Sequence, residues 1–200
     1  MAESAEELFA RVAALVGEQG HLPMPPIAEW DTFPFEGDIR VRPLLAPTPE
    51  PDRDGEGDRP CRRCEEPDRG VIWRNDRWLV STFDRPTGLP VVVFLMTREH
   101  LDFEDMDDDL AAEYGRISAW LHRIIGNLPN VGRVHIGKWG DGAVHLHVWF
   151  MARTARVNQA LGNFATVWDD ILPPPPEDVW RADLARIARQ LATHDGRALV

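Results

Sequence analysis

The stretch RVHIGKWGDGAVHLHVWFMA, residues 133–152, decides the fold. Its two halves, Arg133–Trp139 and Ala143–Ala152, are rich in β-branched and aromatic residues, and Gly140-Asp141-Gly142 between them is a hairpin signal. Successive strand residues point to opposite faces. His145, His147, Trp149 and Met151 therefore share one face, while Leu146, Val148 and Phe150 share the other and suit a core. Turn length sets the partners. A two-residue turn places Lys138 opposite His145 and Ile136 opposite His147; a three-residue turn, slightly preferred, places Gly137 opposite His145 and His135 opposite His147.

Working outward, Gly70–Phe83 and Leu89–Met96 read as strands, and Asp105–Leu128 as a helix with an acidic start and Leu110, Tyr114, Ile117, Leu121 and Ile124 along one face. Strand, strand, helix and hairpin describe an α+β core with an antiparallel sheet. Helices are predicted over residues 4–17, with Ser4 and Glu7 as a capping box, over Ala155–Leu172 and over Glu177–Thr193, the last two separated by Pro173–Pro176. Between His21 and Pro60 the chain is rich in proline, glycine and acid; Asp38–Leu45 suits a short strand and Pro47–Arg59 a flexible linker. The expected organisation is an N-terminal helix and linker (1–57), a central domain (58–153) and a C-terminal helical extension (154–200), with no internal repeat.

The net charge of −11 argues against non-specific binding to nucleic acid or to an anionic membrane. No window has the ~20 consecutive apolar residues of a membrane span, and Met1-Ala2-Glu3-Ser4 lacks a signal-peptide pattern, so a cytoplasmic location is expected. The cysteines, Cys61 and Cys64, form a C-x-x-C pair that suits a metal or redox element better than a structural disulfide. With no βαβ pattern around it, a thioredoxin-like reading is weak, and two thiolates need two further ligands to close a tetrahedral zinc site. His100 follows the strand Leu89–Met96 through Thr97-Arg98-Glu99.

In combination, Cys61-x-x-Cys64, then His100, then His145-Leu146-His147-Val148-Trp149-Phe150 resemble the zinc-containing branches of the histidine-triad (HIT) superfamily in order and interval, over about residues 58–153. The resemblance implies a HIT-like antiparallel sheet with a central helix. It makes Cys61, Cys64, His100 and His145 ligands of a structural Zn2+, and His147 the nucleophile that attacks the α-phosphorus of a nucleotide. The implied activity is a nucleotide-phosphate hydrolase or nucleotidyltransferase passing through a nucleotidyl-histidine. Its partner is a nucleotide or another phosphate-containing small molecule, and it commonly forms a homodimer, here with the apolar face of Asp105–Leu128 as a candidate surface. Trp149, Lys138 and His135 are the candidate substrate-binding residues.

The sequence departs from the family in two places. The third signature histidine is Trp149, whose indole N–H can donate one hydrogen bond but cannot carry charge. The phosphate cradle before the signature is reduced to Gly140-Asp141-Gly142-Ala143. The alternative reading is a catalytically degenerate HIT-like zinc protein that binds a nucleotide or a protein partner; a C-x-x-C redox protein is a third.

Overall fold

The computed structural model describes residues 3–200. They form two compact units, one ending at Pro51 and one running from Asp52 to Val200. In the first, helix α1 (Ala5–Ala13) is capped as expected: Glu7 N–H donates to Ser4 Oγ (3.2 Å) and Ser4 N–H to the Glu7 carboxylate (2.8 Å). The strand predicted over Asp38–Leu45 is reduced to one bridge between Val41 and Leu22. Pro43, lacking an N–H, stops the ladder there.

The second unit is built on a six-stranded antiparallel sheet. Its strands are β1 (Val71–Arg74), β2 (Trp78–Thr82), β3 (Val91–Thr97), β4 (Val131–Gly137), β5 (His147–Thr154) and β6 (Arg197–Ala198), in the order β4-β5-β3-β2-β1-β6. The helices of this unit are α2 (Arg62–Glu65), α3 (Asp108–Gly126), α4 (Phe164–Ile171) and α5 (Glu177–Leu191). Strand alternation sorts the side chains. Val80, Val91, Val93, Leu95, Val148 and Phe150 face α3 and α5 and join Ile117, Leu121, Ile187 and Leu191 in the main core. The opposite face carries Leu79, Phe94, Met96, His147, Trp149 and Met151, with Met96 opposite His147 and Phe94 opposite Trp149.

The C-terminal residues belong to this core. Trp180, Leu184, Ile187 and Leu191 of α5 are buried in it, and β6 adds to the sheet edge beside β1. The helix predicted over 155–172 forms only as α4. Arg156 (φ 70°) and Gly162 (φ 54°) adopt left-handed backbone in the preceding segment, which a helix cannot accommodate.

The predicted tight hairpin is corrected. β4 ends at Gly137 and β5 begins at His147, so residues 138–146 form the connection. Neither expected register occurs: His135 lies opposite Met151, Gly137 lies opposite Trp149, and Lys138 is outside the strand. The connection is drawn off by other partners. Val144 N–H donates to the Asp54 carbonyl (3.0 Å), Asp54 N–H to the Gly142 carbonyl (3.0 Å), and Leu146 N–H to the Leu101 carbonyl (2.8 Å). Residues 52–57, read from composition as flexible linker, thereby hold the segment that carries His145.

Candidate functional site

Four side chains distant in sequence converge beside β5. Cys61 caps the N-terminus of α2 and Cys64 lies within it; His100 sits in the turn after β3, and His145 in the connection two residues before β5. Their donor atoms all lie within 4.8 Å of one another. His145 Nδ1 is 3.4 Å from Cys61 Sγ and 3.6 Å from Cys64 Sγ, and His100 Nδ1 is 3.5 Å from Cys64 Sγ. A tetrahedron with Zn–S near 2.3 Å and Zn–N near 2.0 Å has S···N edges of about 3.5 Å. The donors therefore fit zinc in kind, number and spacing.

The surroundings hold them in that state. His145 is buried, and its Nε2–H donates to the Thr97 carbonyl (2.8 Å), which leaves Nδ1 as the lone pair aimed at the sulfurs. Burial lowers the pKa of His145 and favours the neutral, ligating imidazole. Both cysteines are free thiols, and burial, aided by a hydrogen bond with Cys61, pushes Cys64 up to about 11, so metal binding must displace a proton there. Gly55 (φ 83°) packs directly on His100: a Cβ at this position would stand 2.5 Å from His100 Cε1. Gly55→Ala, strained in backbone and clashing with a ligand, is expected to weaken zinc retention roughly tenfold, read by competition against a chromogenic chelator. Unchanged retention would show that the His100 position is not set by this contact.

The neighbouring network was not signalled by the sequence. Asp102, almost fully buried, faces Lys138 Nζ at 3.0 Å and Arg53 Nη1 at 3.7 Å, and Arg53 also donates to the Gly140 carbonyl (3.2 Å). A buried carboxylate held between two cations ties the first residues of the His145 connection, Lys138 and Gly140, to the turn after His100. Lys138 is thus an anchor of the connection.

His147 opens β5 with a different arrangement. Its Nδ1–H donates to the carbonyl of His145 (2.8 Å), leaving Nε2 unprotonated in the neutral tautomer. The ring lines a cleft of about 300 Å3 whose walls include Arg62, Arg63, Phe83, Phe94 and Met96. The other expected substrate contacts lie elsewhere. Trp149 packs edge-on against Phe94 (4.6 Å between ring centroids), Phe83 (5.8 Å) and Trp139 (5.7 Å), and its Nε1 is buried with no hydrogen-bond partner. His135 Nε2 is also buried without a partner, and burial together with Arg153 lowers its pKa. Neither these two residues nor Lys138 is among those lining the cleft.

The position of Trp149 decides what restoring a histidine there would do. Trp149→His removes ring packing against three aromatics, a loss of about 2–3 kcal/mol for a large, partly buried aromatic side chain. At 2–4 °C per kcal/mol for a chain of this size, the melting temperature is expected to fall by about 4–12 °C in calorimetry. An unchanged melting temperature would mean the cluster does not hold the ring.

Cys61, Cys64, His100 and His145 thus meet in space as the donor set that the resemblance implied, with the His147 ring outside that set and beside it. The chain is similar to several solved structures. Among solved structures it is similar to a hypothetical histidine triad nucleotide-binding protein from Sulfolobus tokodaii (TM-score 0.49, 13% identity, covering 66% of this chain and 93% of that one). It is also similar to a histidine triad protein from Bradyrhizobium japonicum (TM-score 0.49, 14% identity, 65% and 95%). A Zn-bound histidine triad family protein from Mycobacterium smegmatis is a third (TM-score 0.44, 15% identity, 62% and 86%). Comparison with protein-family models and with curated proteins gives no match. No helix among the described residues is long and apolar enough to cross a membrane.

Proposed function

We propose that this chain is a HIT-like nucleotide-phosphate hydrolase or nucleotidyltransferase that works through His147, with a structural zinc site. The observation that carries the reading is the 2.8 Å contact of His147 Nδ1 with the His145 carbonyl: an acceptor there calls for an N–H at Nδ1, which in the neutral ring leaves the lone pair on Nε2 of a residue lining the cleft. In the proposed reaction Nε2 attacks the α-phosphorus, the bond from phosphorus to the leaving group breaks, and the leaving group departs with its electron pair and takes up a proton from solvent. Water or the hydroxyl of a second acceptor then attacks the same phosphorus and gives up its proton to solvent, and the P–N bond breaks with its electron pair returning to Nε2. The positive charge on the phosphorylated imidazole is shared with the Nδ1–H···O=C hydrogen bond, which strengthens as the ring becomes cationic. Zinc, when bound, supplies a cross-link between α2, the turn after β3 and the start of β5, and four protein donors leave it no open position. The role of His145 is to fix the strand start, and through its carbonyl the ring of His147.

The test is turnover of nucleoside phosphoramidates, dinucleoside polyphosphates and nucleotide sugars by freshly purified, zinc-containing protein. Turnover of at least one is expected. No turnover across the panel, with no nucleotide protecting His147 from chemical modification, overturns the enzyme reading. Trp149 in place of the third signature histidine favours a second reading, a zinc-bound nucleotide-binding module without chemistry, and that outcome would leave binding intact and turnover absent.

A further inference from the structure

Phosphate transfer at His147 needs a positive group beside the reacting phosphate, and the positions first considered do not supply it. The Trp149 indole is enclosed by aromatic rings and Lys138 is paired with buried Asp102. Three arginines do line the cleft: Arg62, Arg63 and Arg69. Arg63 is committed to the protein, donating to the carbonyls of Glu66, Pro67 and Arg69 and to Ser81 Oγ at 3.1–3.4 Å. Arg69 is neutralised by Glu66 (2.6 Å) and Asp84.

Arg62 differs from both. Its side chain is 67% exposed, its nearest carboxylate is Glu66 at 3.8 Å, beyond hydrogen-bond distance, and no described residue accepts a hydrogen bond from it. An exposed pair of that length contributes little and is readily exchanged for a ligand. Its backbone is nevertheless well fixed, because Arg62 stands between two zinc ligands, directly after Cys61 and two residues before Cys64. An exposed guanidinium without a hydrogen-bond partner among the described residues, on a backbone set between Cys61 and Cys64, is suited to bidentate recognition of a phosphate.

We infer that Arg62 is the substrate-positioning residue of the cleft, binding the phosphate of a nucleotide in place of the charge that Trp149 does not provide. The inference rests on the proposed use of the cleft for phosphate transfer. It also gives the metal a second consequence: zinc fixes the segment that presents the phosphate ligand.

The experiment titrates zinc-loaded, full-length protein calorimetrically with AMP, GMP, CMP and UMP and with the four matching nucleosides. Arg62→Ala is expected to weaken the best-bound monophosphate roughly ten- to a hundredfold, the scale of one hydrogen-bonded charge pair, while nucleoside affinity stays within about twofold. Arg62→Lys, which keeps the charge but not the fork, recovers part of the loss. Zinc content and melting temperature stay at wild-type values in both variants. Equal monophosphate affinity in wild type and Arg62→Ala overturns the role of Arg62 and leaves the cleft reading standing. Equal loss of nucleoside and nucleotide affinity shows a structural role and also overturns it. If the wild type binds none of the four monophosphates, the cleft reading fails and this inference fails with it.

Discussion

Cys61→Ser is expected to lose the metal and a large share of the stability together. The substitution leaves three donors, and a neutral serine hydroxyl does not replace a thiolate on zinc. In zinc-finger peptides metal binding provides on the order of 10 kcal/mol, nearly all of it folding free energy. Here a separate core of α3, α5 and the sheet stands without the metal, so the expected loss is smaller, about 4 kcal/mol, or about 8–16 °C in melting temperature. Elemental analysis should show about one zinc per wild-type chain and none in the variant. Chelation of the wild type should reproduce the lowered melting temperature and leave the variant unaffected. A variant that lost zinc and kept the wild-type melting temperature would contradict a structural role for the site.

His147→Ala separates chemistry from stability. The His147 side chain makes one hydrogen bond, to the His145 carbonyl, and belongs neither to the four-donor cluster nor to the main core. Zinc content and melting temperature should therefore stay close to wild type. Turnover should fall on the order of 10⁴-fold or more, as when a covalent nucleophile is removed and the remaining groups supply only binding. A His147→Ala variant that turned over substrate within a few-fold of wild type would move the nucleophile elsewhere.

How much of this was legible in the sequence follows from what each pattern encodes. Alternation reports which face a strand residue takes, and Val148 and Phe150 are in the core opposite His147 and Trp149, as read. The stripe Leu110, Ile117, Leu121, Ile124 likewise placed α3. The ligand set Cys61, Cys64, His100 and His145 was implied by the resemblance to the histidine-triad family, not by the residues alone, which left the cysteine pair open; the structure brings the four together.

Alternation does not report which strand lies alongside or where a strand stops. The β4–β5 register was misjudged because Asp54 and Leu101 capture the backbone of 142–146, a tertiary competition that no local turn signal records. Arg53 and Asp102 carried no signal, since a buried ion pair is visible only once two remote segments meet. Proline, glycine and acid in residues 47–59 do mark an irregular chain, but irregular backbone is not mobile when its hydrogen bonds go to a neighbour. Trp149 lies on the expected face of β5; what alternation left undetermined is that Phe83, Phe94 and Trp139 would enclose it.

The most direct test of the account is a search for the covalent intermediate. Zinc-loaded protein is mixed with a nucleoside phosphoramidate, denatured within the first turnovers at alkaline pH, where a phosphorus–imidazole bond survives, and its peptides are analysed by mass spectrometry. The account predicts a nucleotidyl group on the peptide containing His147, on that residue, and no such group in His147→Ala. Turnover of the substrate with the label on another residue, or with no protein-bound nucleotide at any time, would contradict it.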